Sequence, residues 1–136
     1  ERRHVRQPLC QPLYQSTHEP YGQLDFFRWQ NMRNPEISTT FSPTDKFRFT
    51  PQADFFWLQS KFDSWYNSSG TVVRSKTSGN RGYFVGTEFS LRLYYDLNKY
   101  LKFETGYAHF FPGEFVKDSG SNDDIDWLYS QAAFKF

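Results

Sequence analysis

Arg48, Arg92, Lys102 and Lys135 recur at alternate positions of segments that carry Asp54, Glu88, Glu104 and Gln131 on the same side. Cations in a row along a low-dielectric wall focus their field on whatever passes and so select anions. The planar fork of Arg grips a carboxylate at two points, and weak repeated contacts of that kind hold a polyanion yet let it move. Arg48 and Arg92 are the first candidates for that work, and Lys102 the next. A plainer role is open to each: pairing with Asp54, Glu88 or Glu104 across strands and filling space. Four cations against three acids on this side leave little net bias.

Trp29, Trp65 and Tyr66 lie in or beside loop-like stretches, where rings either stack on sugars or anchor a protein at a membrane interface. His4, His18 and His109 are too scattered for a metal cluster, and no H-E-x-x-H spacing occurs. Asp118, Asn122, Asp123, Asp124 and Asp126 form an acidic loop without the residue order of a calcium-binding EF-hand, so a solvated loop is the expectation. His109 falls on the side of its segment shared by Leu101, Phe103 and Tyr107, which suits an interfacial residue better than a general base. There is no nucleophile elbow, phosphate loop or dinucleotide fingerprint. No catalytic residue, metal site or cofactor is therefore expected.

The elements that must position these residues read with period 2. A first strand, about Pro35 to Ser42, sets Ile37, Thr39 and Phe41 against Glu36, Ser38 and Thr40, and Pro43-Thr44-Asp45 turns the chain. A second, Lys46 to about Leu58, alternates Phe47, Phe49, Ala53, Phe55 and Trp57 with Arg48, Thr50, Gln52 and Asp54. Within it Pro51 removes a ladder donor and suggests a bulge. Residues 59 to 82 are polar and loop-like. A third strand, Tyr83 to Asp96, sets Val85, Thr87, Phe89, Leu91, Leu93 and Tyr95 against Gly86, Glu88, Ser90, Arg92 and Tyr94. After a short reversal at Leu97-Asn98-Lys99, a fourth runs from Tyr100 to about Phe110, and a second long break covers 111 to 123. The closing segment puts Leu128, Ser130, Ala132, Phe134 and Phe136 opposite Trp127, Tyr129, Gln131, Ala133 and Lys135.

Composition is at odds with an ordinary soluble domain. Aromatic residues make up 21% of 136 residues, yet the mean hydropathy is -0.77. A transmembrane barrel reconciles the two, with rings on its outer face and in interfacial girdles around a polar lumen. No stretch approaches the roughly 20 apolar residues of a spanning helix, so any crossing is made by strands. The net charge of +1 and the absence of long like-charge runs argue against a nucleic-acid partner. Cys10, the lone cysteine, cannot form an internal disulfide.

Tight turns alternate with long breaks, as periplasmic turns alternate with extracellular loops in outer-membrane barrels. The aromatic end at Phe136 resembles the closing strand of such barrels. It places the turns at 43–45 and 97–99 in the periplasm and the breaks at 59–82 and 111–123 outside. Residues 1–31 read as an extracellular loop segment and 32–136 as the C-terminal part of the barrel. Five strands cannot close where the smallest barrels use about 8, so upstream sequence or further copies must complete the wall.

Further motifs carry a family resemblance. The runs QPLYQSTHEPYG at 11–22, DFFRWQN at 25–31, DSWYNSSG at 63–70, VGTEF at 85–89 and GYAHFFPGEF at 106–115 are similar, in order and spacing, to the C-terminal pattern of the alginate-export porin family. The resemblance covers about Gln11 to Phe136, and Cys10 departs from it. It implies a bacterial outer-membrane channel, a monomeric barrel of roughly 18 strands, bathed in lipid and with room for periplasmic secretion partners. In the best-known members the lumen is electropositive and passes a polyanionic polysaccharide, while many relatives have unknown substrates. An anionic polysaccharide, a small solute taken up by a general porin, or a sugar held by a soluble β-rich domain are thus the expected ligands.

Overall fold

The computed structural model describes residues 22–24, 27, 30–67, 69–75 and 82–136. Its strands are β1 (Met32–Arg33), β2 (Glu36–Ser38), β3 (Phe41–Thr44), β4 (Phe47–Leu58), β5 (Trp65–Tyr66), β6 (Val72–Arg74), β7 (Phe84–Asp96), β8 (Leu101–Pro112) and, after the single-turn helix α1 (Glu114–Lys117), β9 (Ile125–Phe134). An antiparallel sheet runs β4-β7-β8-β9, with β1, β2 and β3 all pairing to the free side of β4. The fold is all-β, as the alternation implies. No described helix is long and apolar enough to cross a membrane.

The long strands form where the period-2 pattern is strongest and end at turn chemistry. Thr44 Oγ1 accepts from the Phe47 amide at 3.1 Å and closes the first hairpin around Asp45 and Lys46, one residue later than Pro43-Thr44-Asp45. Asn98 Oδ1 accepts from the amides of Tyr100 and Leu101 at 2.8 and 3.0 Å and closes the second. With 12 residues β4 covers about 40 Å of chain at 3.3 Å per residue. At the usual tilt that suffices for an apolar band about 25 Å tall.

The first strand departs from its expected span. It begins at Met32 and is broken in three. Pro51 explains the second break: its carbonyl accepts from the Thr39 amide at 3.2 Å, so the donor it lacks is missing on this side, between the pairs Ser38↔Gln52 and Phe41↔Phe49. Toward β7, Pro51 stays in register with Leu91; the irregularity of that ladder lies between Phe56 and Trp57 instead. There Phe84 pairs with Trp57, and the extra residue Val85 is fully buried instead of sharing the face of Phe89 and Leu91. The break at 59–82 contains the β5–β6 hairpin, and that at 111–123 contains α1.

One face of the sheet is apolar and open. Leu128 is 73% exposed, Phe134 67%, Phe89 50% and Leu91 37%, all on the side of Ala53 and Phe103. The rows are ordered along the strands. Near the short turns the pairs are Phe47↔Tyr95 and Tyr95↔Phe103, in the middle Pro51↔Leu91, Leu91↔Tyr107 and Tyr107↔Leu128, and near the long loops Trp57↔Phe84 and Thr87↔Phe111. Aromatic rows on either side of a largely aliphatic one match the girdles of a transmembrane barrel. A soluble monomer rarely exposes an apolar surface of this extent.

The core lies on the opposite face, at the long-loop end. Phe27 stacks on Phe56 at 3.6 Å and on Trp65 at 5.1 Å, and Leu24, Leu58, Val85, Ala108, Phe110, Phe115 and Val116 complete the cluster. Gly86 has no side chain because the Phe110 ring occupies its space, 2.4 Å from where a Cβ would stand. Asn31 holds the entry to β1. In the left-handed conformation at φ 57°, it donates through Nδ2 to the Ser60 carbonyl at 2.9 Å and accepts the Ser60 amide at 2.7 Å.

Candidate functional site

Below the apolar cluster the same face is polar, built in rows fixed by strand register. The first row pairs Glu36, Asp54 and Glu88, and the next Ser38, Gln52 and Ser90. Then come Thr50, Arg92, Gly106 and Tyr129, followed by Arg48, Tyr94, Glu104 and Gln131. Asp96 and Lys102 close the series, and Lys135, whose amide donates to the Tyr100 carbonyl at 2.9 Å, continues the alternation beyond β9. Arg48, Asp54, Glu88, Arg92, Lys102, Glu104 and Gln131 thus share one face.

Asp54 and Glu88 are fully buried. A buried carboxylate needs donors. Asp54 receives them from Gln52 Nε2 at 2.8 Å and Asn34 Nδ2 at 3.2 Å, while Glu88 accepts the Gln23 amide. Gly22, at φ 79°, lies against the Glu88 carboxylate, where a Cβ would stand 2.5 Å from Oε2. Gly22–Leu24 and Phe27 therefore cover the upper polar face, within the segment read from sequence as an extracellular loop.

Lys102 and Arg48 meet partners outside the set the alternation offered, whereas the charge of Arg92 acts on Asp54, within that set. Lys102 Nζ lies 3.2 Å from Asp96, Arg48 sits over the Tyr94 ring at 5.1 Å, and Arg92 Nη2 donates to Gln52 Oε1 at 3.5 Å. Glu104 accepts from the Tyr129 hydroxyl and from Gln131 Nε2 at 2.8 Å. Register brings in Glu36 and Asp96, which the strand-by-strand reading left out of the charge balance. Accessibility reverses the sign: Arg48, Lys102 and Lys135 are exposed along with Glu36, while Asp54 and Glu88 are sealed.

Of the aromatic residues expected to stack on sugars at a mouth, Trp65 is 5% exposed and packed in the core, so it presents no face to a sugar. The Tyr66 hydroxyl donates to Asp63 Oδ1 at 2.7 Å, and that contact raises its pKa above the usual phenol range. Trp29 lies outside the described residues. His109 is on the apolar face, its Nδ1 2.7 Å from Asp126 Oδ1 and its ring 4.2 Å from that of Phe111. No group of His, Cys, Asp or Glu suited to a metal ion occurs among the described residues.

The family model for alginate export matches residues 10–127, most of the chain. The chain belongs to the alginate-export family. No curated protein and no solved structure matches it. Membership of a family of outer-membrane transport porins accounts for the two-sided sheet. The sealed acids and the apolar cluster lie toward the long-loop end of the polar face, and the exposed Arg48, Lys102 and Lys135 toward its short-turn end.

Proposed function

We propose that this chain contributes wall to an outer-membrane channel that passes an anionic, alginate-like polysaccharide passively through its lumen, without catalysis. Residues 32–136 are the wall, the apolar face meets lipid, and the preceding segment belongs to the extracellular side. The observation that carries the reading is the accessible charge: Arg48, Lys102 and Lys135 are exposed on the polar face against Glu36, whereas Glu88 is withdrawn beneath Gly22 and the Gln23 amide and Asp54 is buried against Gln52 and Asn34. Arg92, half-buried between them, offers a guanidinium suited to a uronate carboxylate. Weak, repeated contacts of this kind favour entry without trapping the polymer.

Planar-bilayer recordings of the full-length protein test this reading. Conductance is expected to favour anions and to be blocked by uronate oligomers, with Arg48→Ala and Arg92→Ala weakening the block. Cation-selective conductance that no uronate oligomer blocks would refute it. One observation favours a general or uptake porin for small solutes instead: counted without regard to burial, Glu36, Asp54, Glu88, Asp96 and Glu104 outnumber the cations of this face. Liposome uptake of small sugars, with no preference for polymer, is the result expected of that alternative.

A further inference from the structure

Trp127 and Tyr129 occupy consecutive positions of β9 on the polar face, opposite Ala108 and Gly106, with rings 4.6 Å apart and inclined by 34°. Lipid anchoring does not account for them, since interfacial girdles belong to the outward face. Core packing does not account for Trp127 either, which is 37% exposed while Phe27, Phe56 and Phe110 are at 2% or less. The neighbouring strand is shaped to receive Tyr129: at Gly106 a Cβ would stand 2.0 Å from Tyr129 Cε1, so only glycine lets the ring lie there. The Tyr129 hydroxyl donates to Glu104, whose second oxygen accepts from Gln131 Nε2 at 2.8 Å. Ring orientation is thus fixed before any ligand arrives.

Such a surface combines flat apolar faces with a polar border. A pyranose is its complement, with an apolar C–H face and a rim of hydroxyls. We infer that Trp127 and Tyr129 form a stacking step for one sugar ring of the transported polymer. Glu104 and Gln131 meet its hydroxyls, and Arg92, in the same row as Gly106 and Tyr129, meets its carboxylate. The inference rests on the polysaccharide-channel reading and adds a residue-level contact to it. Stacking on one or two rings is weak enough for the polymer to step off again.

The test uses single-channel block of the full-length protein by uronate oligomers and by neutral gluco-oligomers. Trp127→Ala is expected to shorten the residence time of the uronate blocker about fivefold. Ion selectivity should not change, because no charge is altered, and Trp127→Phe should restore most of the residence time. Should Trp127→Ala fail to assemble, Tyr129→Leu carries the same expectation. Uronate block with unchanged residence times in the ring-less variant would overturn the stacking step and leave the polysaccharide channel standing. Block by neutral oligomers alone, relieved in Trp127→Ala, would keep the step and remove the anionic preference. Absence of block by either oligomer would overturn both.

Discussion

Leu91 and Leu128, in one row of the apolar face with Tyr107 between them, are 37% and 73% exposed, whereas Gln52, Asp54 and Glu88, on the other side of the same sheet, are at 5% or less. In a protein surrounded only by water the two sets would change places. The contrast teaches that the sheet answers to two environments. Its open face is suited to hydrocarbon. Its other face folds chain over its own carboxylates and leaves cations at the lower rows.

The largest expected effect tests the covered face. Phe56→Ala should cost about 3–5 kcal/mol, because it empties the space on which Phe27 stacks. Urea unfolding from lipid vesicles measures it, and a loss below about 1 kcal/mol would mean the cluster does not hold the segment down. On the open face, Leu91→Arg should cost about 2–4 kcal/mol in the same assay, the penalty of a cation near the bilayer midplane. Gln131→Arg on the polar face should stay within about 0.5 kcal/mol. Equal costs for the two arginines would erase the distinction between the faces. Gly106→Val should displace the Tyr129 ring and alter conductance more than stability, visible as a changed single-channel current. Smallest is Tyr66→Phe. The Tyr66 pKa is raised by its bond to Asp63, so that contact is intact below the ordinary phenol value near 10 and is lost as pH rises through the higher folded value. Alkaline titration should therefore loosen the loop in the parent protein and have no such phase in Tyr66→Phe.

Much of this architecture is legible in the sequence because a strand's period of 2 writes each face directly into residue order. The long strands begin and end within about two residues of the alternation. What the pattern hides is anything set by contacts between distant residues. Phe56, Leu58 and Phe110 continue the polar face of their strands, and only the arrival of Phe27 and Trp65 explains why they are apolar. Val85 keeps the alternation in sequence and loses it in space, since a bulge depends on the partner strand. Asn31, which ties β1 to the loop after β4, carries the signal of a residue tolerant of left-handed backbone but no sign of its partner Ser60. The two rings of Trp127 and Tyr129 on a polar face, with a glycine in the preceding strand, are visible in the sequence. They acquire meaning only once register sets Gly106 opposite Tyr129.

Parallax quenching tests the two-environment claim most directly. Single cysteines at 91 and 128 on the apolar face and at 131 and 133 on the polar face, in a Cys10→Ser background, would each carry an environment-sensitive fluorophore in the full-length protein reconstituted in vesicles. Brominated lipid should quench the labels at 91 and 128, and aqueous iodide those at 131 and 133. Quenching of 91 and 128 by iodide without any effect of brominated lipid would contradict the account.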